Sequence, residues 1–522
     1  MEKFNSLLKY EKYFFVFVSI LFLIPVIGNT YFVTVDGPAH LYNASLLKQL
    51  WFNNQTFLRS FFEINTQLNS NWINHIWDCI VGTALPSFLT EKSFLILYIL
   101  FMPFAFRYLL HSIVEPSAKT KLSSYLIFPF IYSLPLRFGF FNFCFGIPIL
   151  FFCLGLWLRN NKNYSLKKAI ILSLLITLLY FSHLFNFILF GLIVFIYEMI
   201  EYFKNKNLSI TVTRLKRVLI VSLPAIVFFV LFIISNNQYE HKPPVYSENK
   251  LLIQQLTEIG PVITMNHEDE LPYSKIYFYV LCVLFILSII SFIKNRNQDQ
   301  NKIAWLITAA VLSIIYFLFP DWISSGGFIS IRLLLLFYLL IIVWIGIQEI
   351  ELKFLIVPIA IILITSFAFL KYHYNLSKPY SDYAEEFAAA GTKIETGKTV
   401  LPLNYQQNLL FTNISNYMGC EKPIVVLDNY EPAKPHFPLL WKKGQCIYDI
   451  MLHYGNRTPQ CIDIEKYETA TGHKIDYISQ WFYEDGIKDS CAVNTQTVLA
   501  NQFNLIYEST SKRLKLFKRK ND

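Results

Sequence analysis

The sequence predicts a multi-pass α-helical membrane protein of about eleven transmembrane helices, with a small C-terminal α/β soluble domain. Three observations carry this. Of 522 residues, 54% are hydrophobic, 17% aromatic and only 16% charged, where soluble domains carry about 25% charged residues. The apolar residues come in runs of about 16 to 22, close to the roughly 20 that cross a hydrocarbon core as a helix. After about residue 371 the composition changes to that of an ordinary soluble domain.

The first run, 13–33, is flanked by Lys3, Lys9 and Lys12. It is too long for a signal h-region, and no small-x-small cleavage site follows, so it reads as an uncleaved span. Further spans are expected near 93–112, 122–135, 143–158, 168–182, 184–203, 218–234, 276–293, 303–319, 329–347 and 354–371. The stretch 72–90 is apolar but carries His75 and Asp78. Charge arbitrates. If 72–90 stays at the membrane surface, one set of loops collects Lys119 and Lys121; Arg159, Lys162, Lys167 and Lys168; Lys204, Lys206, Arg214, Lys216 and Arg217; and Lys294, Arg296 and Lys302. The positive-inside rule then puts those loops and the N-terminus in the cytoplasm. A crossing at 72–90 would turn every later basic cluster outward and bury an acid in lipid.

On this topology the outer side holds 34–92, 135–142, 235–275, 320–328 and everything beyond about 372. The expected organisation is a transmembrane domain, 1–371, with a large first outer loop, 34–92, and an extracytoplasmic mixed α/β domain, 372–522. Within the latter, Ser381 to Ala390 is helix-like and stops at Gly391, and Thr399–Leu403 and Pro423–Leu427 are strand-like. The basic end, Lys512 to Lys520, argues mildly for an inside location, but long domains translocate largely regardless of charge. Cys420, Cys446, Cys461 and Cys491 lie in this region. Two disulfides in an oxidising compartment are expected, with four unpaired thiols as the alternative. Cys79, Cys144, Cys153 and Cys282 fall in apolar segments, where Cys is a small core residue.

The net charge of +9 does not indicate nucleic acid, because the basic excess lies in short loops where it sets orientation. No Walker loop, Gly-rich dinucleotide turn or CxxC pair is present, so ATP-driven transport and nicotinamide chemistry have no support in the sequence.

Chemistry-bearing residues gather at the expected outer ends of the spans. Asp36 follows the first span in Thr34-Val35-Asp36-Gly37-Pro38-Ala39-His40, and the same loop holds Asn43, Glu63, His75 and Asp78. Arg137 lies in the turn Leu136–Phe143, His183 in Ser182–Asn186, and Arg332 after Gly326 and Gly327. Ionisable groups at a membrane edge are functional candidates. A carboxylate can take a proton from an acceptor hydroxyl, and arginines suit a leaving phosphate through bidentate contact. Asp36 is thus the candidate base. Arg137 and Arg332 are candidate phosphate clamps, and His183, Glu63 and His40 further substrate-binding candidates. Each also has a plainer reading: Arg332 as a snorkelling interfacial side chain, Arg137 as a span flank, His183 as a structural hydrogen-bonder, and Glu63, His75 and Asp78 as solvated loop residues. His267-Glu268-Asp269-Glu270 reads as a solvated turn, with a metal or acceptor site as the alternative.

With these residues in view, the chain resembles the GT-C superfamily of lipid-phosphosugar-dependent membrane glycosyltransferases. The likeness rests on the acid after span one, the large first outer loop, the span number, the outer C-terminal domain, and the stretches Gly139–Gly146, Gly326–Arg332, Asn429-Tyr430-Glu431 and Phe437-Pro438-Leu439. It implies an inverting glycosyltransferase in a bacterial inner (plasma) membrane. Its donor would be a polyprenyl-phosphate sugar and its acceptor a lipid-linked or cell-surface glycan, with Asp36 the catalytic or acceptor-binding carboxylate. Two departures bear on donor type and metal use: Gly37, not a second acid, follows Asp36, and Asn74-His75 stands without the prolines often seen in loop one. No cofactor is certain on this reading, and a divalent metal is an open alternative. The other function classes are a flippase of lipid-linked sugars, which places polar residues along the middle of its spans, and a non-catalytic membrane subunit, for which Asp36 is dispensable.

Overall fold

The long apolar runs fold as helices. A computed structural model describes residues 2–162, 164–236, 243–295, 300–323, 326–406, 408–450, 463–483 and 490–520. The chain divides into two units, one made of 1–25, 69–71 and 96–373, the other of 26–68, 72–95 and 374–522.

Among the described residues eight helices are long and apolar enough to cross a membrane: Tyr10–Ile27, Ser87–Ile113, Phe141–Asn161, Leu184–Asn205, Leu208–Ser235, His267–Lys294, Ile329–Gly346 and Leu352–Lys393. Leu166–Ser182 and Ile303–Leu318 are shorter apolar helices of 17 and 16 residues at expected span positions. This is a multi-pass membrane protein. Burial sorts the spans: Phe141–Asn161 and Ile329–Gly346 are each 89% buried, whereas Leu208–Ser235 is 11% buried. Its apolar surface on all sides is what a lipid-facing helix presents.

The segment expected as a helical span at 122–135 is not one. It is a short helix, Ala118–Ser123, then a 3-10 stretch, Ser124–Phe130, then one turn, Leu134–Arg137. Pro129 and Pro135 remove backbone donors and break the α pattern. The irregular piece nevertheless accompanies the first span. Arg107 pairs with Glu11 and donates from Nε to Ser124 Oγ at 2.9 Å. Further along, the Tyr132 hydroxyl donates to the Phe22 carbonyl at 2.6 Å and Tyr98 to the Ile131 carbonyl at 3.1 Å. From Glu11 to Phe22 is about 16 Å of helix. Residues 123–133 are all buried, and non-helical backbone at membrane depth is tolerated where protein, not lipid, surrounds it.

Ile73–Val81 is a helix of nine residues. At about 14 Å it is far short of the ~30 Å hydrocarbon thickness.

The second unit is built on a five-stranded sheet. Its strands are Thr399–Asn404 (β2), Val425–Val426 (β3), Tyr477–Trp481 (β5), Phe503–Glu508 (β6) and Leu514–Arg519 (β7), in the order β3-β2-β5-β7-β6. β2 runs parallel to β3 and β5, while β7 runs antiparallel to β5 and β6. A separate ladder pairs Phe62–Ile64 (β1) with Leu439–Trp441 (β4). Val400, Leu401, Ile478, Leu514 and Leu516 face one hydrophobic core with Ala384, Phe387 and Ala390 of the long helix Leu352–Lys393. Gly391 is needed there, because a Cβ would lie 2.3 Å from the Met418 carbonyl oxygen.

Much of the expected first outer loop belongs to this core. Helix Gly37–Trp51 buries 13 of its 15 residues by name, so it is an interior helix and not a solvated one. Tyr42 ties it to β3: its hydroxyl donates to the Ile424 carbonyl at 2.8 Å and accepts from the Val426 N–H at 2.9 Å.

The two expected disulfides are corrected in part. Cys420 and Cys446 are buried free cysteines, and Cys420 Sγ lies 3.4 Å from the Asn416 carbonyl. Cys461 lies outside the described residues, as does the side chain of Cys491.

Candidate functional site

Two short stretches of the second unit meet at a buried polar cluster. One is the start of helix Gly37–Trp51, where Asp36 is the N-cap and Pro38 enters the first turn. Proline suits that position because its missing N–H would have no helical partner. The other is Asp428-Asn429-Tyr430-Glu431, which follows β3 and leads into a 3-10 turn, Glu431–Ala433.

Asp36 is half-buried. Asn413 Nδ2 donates to its Oδ1 at 3.3 Å and to the Val35 carbonyl at 2.8 Å. The Tyr430 hydroxyl is hydrogen-bonded to the Asp36 carboxylate, and burial first, then the charge of Asp36, holds that phenol well above its ordinary range. The positive end of the helix favours negative charge at Asp36. One turn on, the His40 N–H donates to the Asp36 carbonyl at 3.0 Å, so helical spacing sets the His40 side chain beside Asp36.

Glu431 is fully buried, and three side chains converge on it. His40 Nδ1 meets Oε1, His75 Nε2 meets Oε2 at 2.9 Å, and Asn43 Nδ2 donates to Oε2 at 2.8 Å. His75 comes from helix Ile73–Val81. Asn43 exchanges amide hydrogen bonds with Asn429 at 3.0 and 2.9 Å and reaches the Ala39 carbonyl at 2.8 Å. The imidazole rings lie 4.9 Å apart, and the Phe437 ring covers both, at 6.0 Å from His40 and 5.5 Å from His75. Burial alone would push Glu431 up, but the two facing imidazoles outweigh it and hold the carboxyl down at about 2. Asp78 behaves oppositely. Burial, reinforced by nearby negative charge, raises it well above the carboxylate range although Asn74 Nδ2 donates to it at 2.9 Å. Asp428 is pushed up to about 7 by burial, which a hydrogen bond from Ser415 only partly offsets.

The remaining sequence candidates lie elsewhere. Glu63 is exposed in β1, paired opposite Leu440 in the register. In the first unit, Arg332 enters helix Ile329–Gly346, donates from Nη1 to the Gly327 carbonyl at 3.0 Å and stacks on Phe140 with Cζ 3.9 Å from the ring centre. His183 separates helices Leu166–Ser182 and Leu184–Asn205. Its Nδ1 accepts from the Phe185 N–H at 3.2 Å and its ring meets Phe143 at 5.1 Å, the same Phe143 that Arg332 approaches at 5.9 Å. Arg137 is 2% exposed, at the end of Leu134–Arg137, on the turn that continues into Phe140 and Phe143. The structure thus gathers Arg332, His183 and the Arg137 turn around one aromatic patch of the first unit. Asp36 and His40 come together in the second.

The solvated-loop reading of His75 and Asp78 is overturned, since they are 0% and 3% exposed. The signal existed in part: helix Ile73–Val81 places Asn74 and Asp78 one turn apart. The sequence gives Asn43 no role, and Tyr430 and Glu431 carry only the family likeness of Asn429-Tyr430-Glu431. Nothing local links them to residues nearly four hundred positions away. The turn at His267–Glu270 is a helix start. Glu270 is buried and accepts from the Thr264, Met265 and Asn266 N–H groups, while His267 Nε2 meets Glu258 at 2.7 Å.

No protein-family model and no curated protein matches the chain. Among solved structures it is similar to ArnT from Cupriavidus metallidurans, in the apo state and bound to undecaprenyl phosphate. Each match covers 97% of this chain and 97% of the other, at 10% identity and a TM-score of 0.43.

Proposed function

We propose that the protein is a membrane glycosyltransferase that moves a sugar from a polyprenyl-phosphate carrier to a lipid-linked or cell-surface glycan acceptor on the outer face. The observation that carries this reading is the setting of Asp36. It is a half-buried carboxylate directly after the first span, oriented by Asn413 and Tyr430 at a helix start. A half-buried carboxylate held in orientation by its neighbours suits a general base for an acceptor hydroxyl.

In this reading Asp36 takes the acceptor proton as the hydroxyl oxygen attacks the anomeric carbon. The bond to the carrier phosphate breaks in the same displacement, which inverts the anomeric centre. Charge then builds on the leaving lipid phosphate. Arg332, held by Gly327 and Phe140, presents a guanidinium suited to that charge, and Arg137 and His183 border the same aromatic patch as supporting groups. The N-terminus is cytoplasmic and residues beyond about 372 lie outside, as the basic loops require.

A transfer assay with purified lipid-phosphate sugar and full-length protein in detergent tests this. Turnover in Asp36→Asn close to that of the unmodified protein would remove Asp36 from the mechanism. It would also favour a non-catalytic membrane subunit or a carrier of lipid-linked sugars.

A further inference from the structure

We propose that His40, His75 and Glu431 form a binding site for one divalent transition-metal ion of the zinc type. This goes beyond the transfer reading and does not depend on it.

The donor set comes first. His40 Nδ1, His75 Nε2 and the Glu431 carboxylate offer one ligand atom each, all within 4.8 Å of one another and all buried. Two imidazoles and a carboxylate are a set that zinc accepts, with nitrogen and oxygen ligands at about 2.0–2.2 Å. Magnesium and calcium prefer all-oxygen sites. Closing around an ion needs only small side-chain adjustments from the spacing observed.

The support around the ligands comes second. Metal-binding carboxylates and imidazoles are held in orientation by further hydrogen bonds. Asn43 supplies one to Glu431 Oε2 and is itself fixed by Asn429 and the Ala39 carbonyl. Phe437 walls the two imidazoles on one side, the low-dielectric surrounding in which an ion is held strongly.

The placement comes third. The ligands arise from helix Gly37–Trp51, helix Ile73–Val81 and the turn at Glu431. An ion here would pin three segments that are remote in sequence. Three protein ligands leave a fourth position, which in zinc sites takes water or an anionic oxygen. Tyr430, next to Glu431 in the chain, contacts Asp36.

The competing arrangement is a metal-free hydrogen-bonded triad in which both imidazoles donate to Glu431. The experiment separates the two. Full-length protein in detergent is stripped with chelator and dialysed against zinc or cobalt(II), and bound metal is measured by mass spectrometry. About one ion per chain is expected, cobalt should give the visible bands of a nitrogen/oxygen site, and zinc should raise the thermal midpoint of the stripped protein. Glu431→Gln should abolish the cobalt spectrum. Asn43→Ala, which keeps all three ligands, should weaken the metal by roughly 10–100-fold. Excess magnesium should not compete. Failure of correctly folded, unmodified protein to bind cobalt or zinc would overturn the proposal, as would full stoichiometry and an unchanged spectrum in Glu431→Gln.

Discussion

Asp36 carries the most weight of any single residue. Asparagine keeps its shape and its bond from Asn413, but cannot accept a proton. General-base catalysis contributes about 10²–10⁴-fold, so Asp36→Asn is expected to lose at least two orders of magnitude in turnover with unchanged expression and elution profile. Glu63 provides the contrast. It stands exposed in β1, so Glu63→Gln is expected to lose far less than Asp36→Asn in the same assay. At Arg332 charge and shape can be separated. The guanidinium stacks on Phe140 and donates to the Gly327 carbonyl. Lysine would retain the charge but not the planar fork, so Arg332→Lys should fall between the unmodified protein and Arg332→Ala in transfer rate. Equal rates for all three would assign Arg332 a packing role only.

At the scale of the element, the helix Leu352–Lys393 shows how one residue serves two purposes. In isolation Gly391→Ala would help a helix by up to ~1 kcal/mol. Here the new Cβ would meet backbone, with the Met418 oxygen 2.3 Å away, and backbone cannot swing aside. Overpacking of this kind costs about 1–3 kcal/mol, so the packing term wins. Gly391→Ala is expected to lower the thermal midpoint, and a rise would show that the 3-10 segment Ile414–Gly419, which carries Met418, yields. The irregular segment 118–137 teaches a second lesson. Hydropathy alone predicts a span at 122–135, yet two prolines and the burial of 123–133 make it an interior strut alongside the first helix. Its short helix and 3-10 turns are tolerated because protein, not lipid, surrounds them.

For the whole molecule, topology is the property that decides which face the chemistry serves. Reporter fusions after residue 165 and after residue 400 are expected to report cytoplasm and exterior respectively, as the basic loops dictate. A cytoplasmic signal from the second would place Asp36 on the wrong face for the proposed reaction. Cys420 and Cys446 are expected to react with a thiol reagent once the protein is denatured without reduction, since both are free and buried. Protection of both would restore the disulfide expectation.

The sequence by itself determined the membrane class and the approximate places of most of the spans. These depend on local quantities: apolar length against bilayer thickness, and the distribution of lysine and arginine between loops. It also singled out Asp36, because an acid at a span end is conspicuous in an apolar chain. The tertiary structure alone decided that most of the first outer loop belongs to the core of the C-terminal sheet, with Gly37–Trp51 buried and not floating at the interface. It alone joined His40 and His75 to Glu431 and gave Tyr430 to Asp36. Those pairings span nearly four hundred residues, and no periodicity or spacing records a contact between segments that meet only when the sheet forms. A buried carboxylate finds its imidazole partners because burying it unpaired would be costly, and which partners it finds depends on the packing of Tyr42, Phe437 and the strands around them.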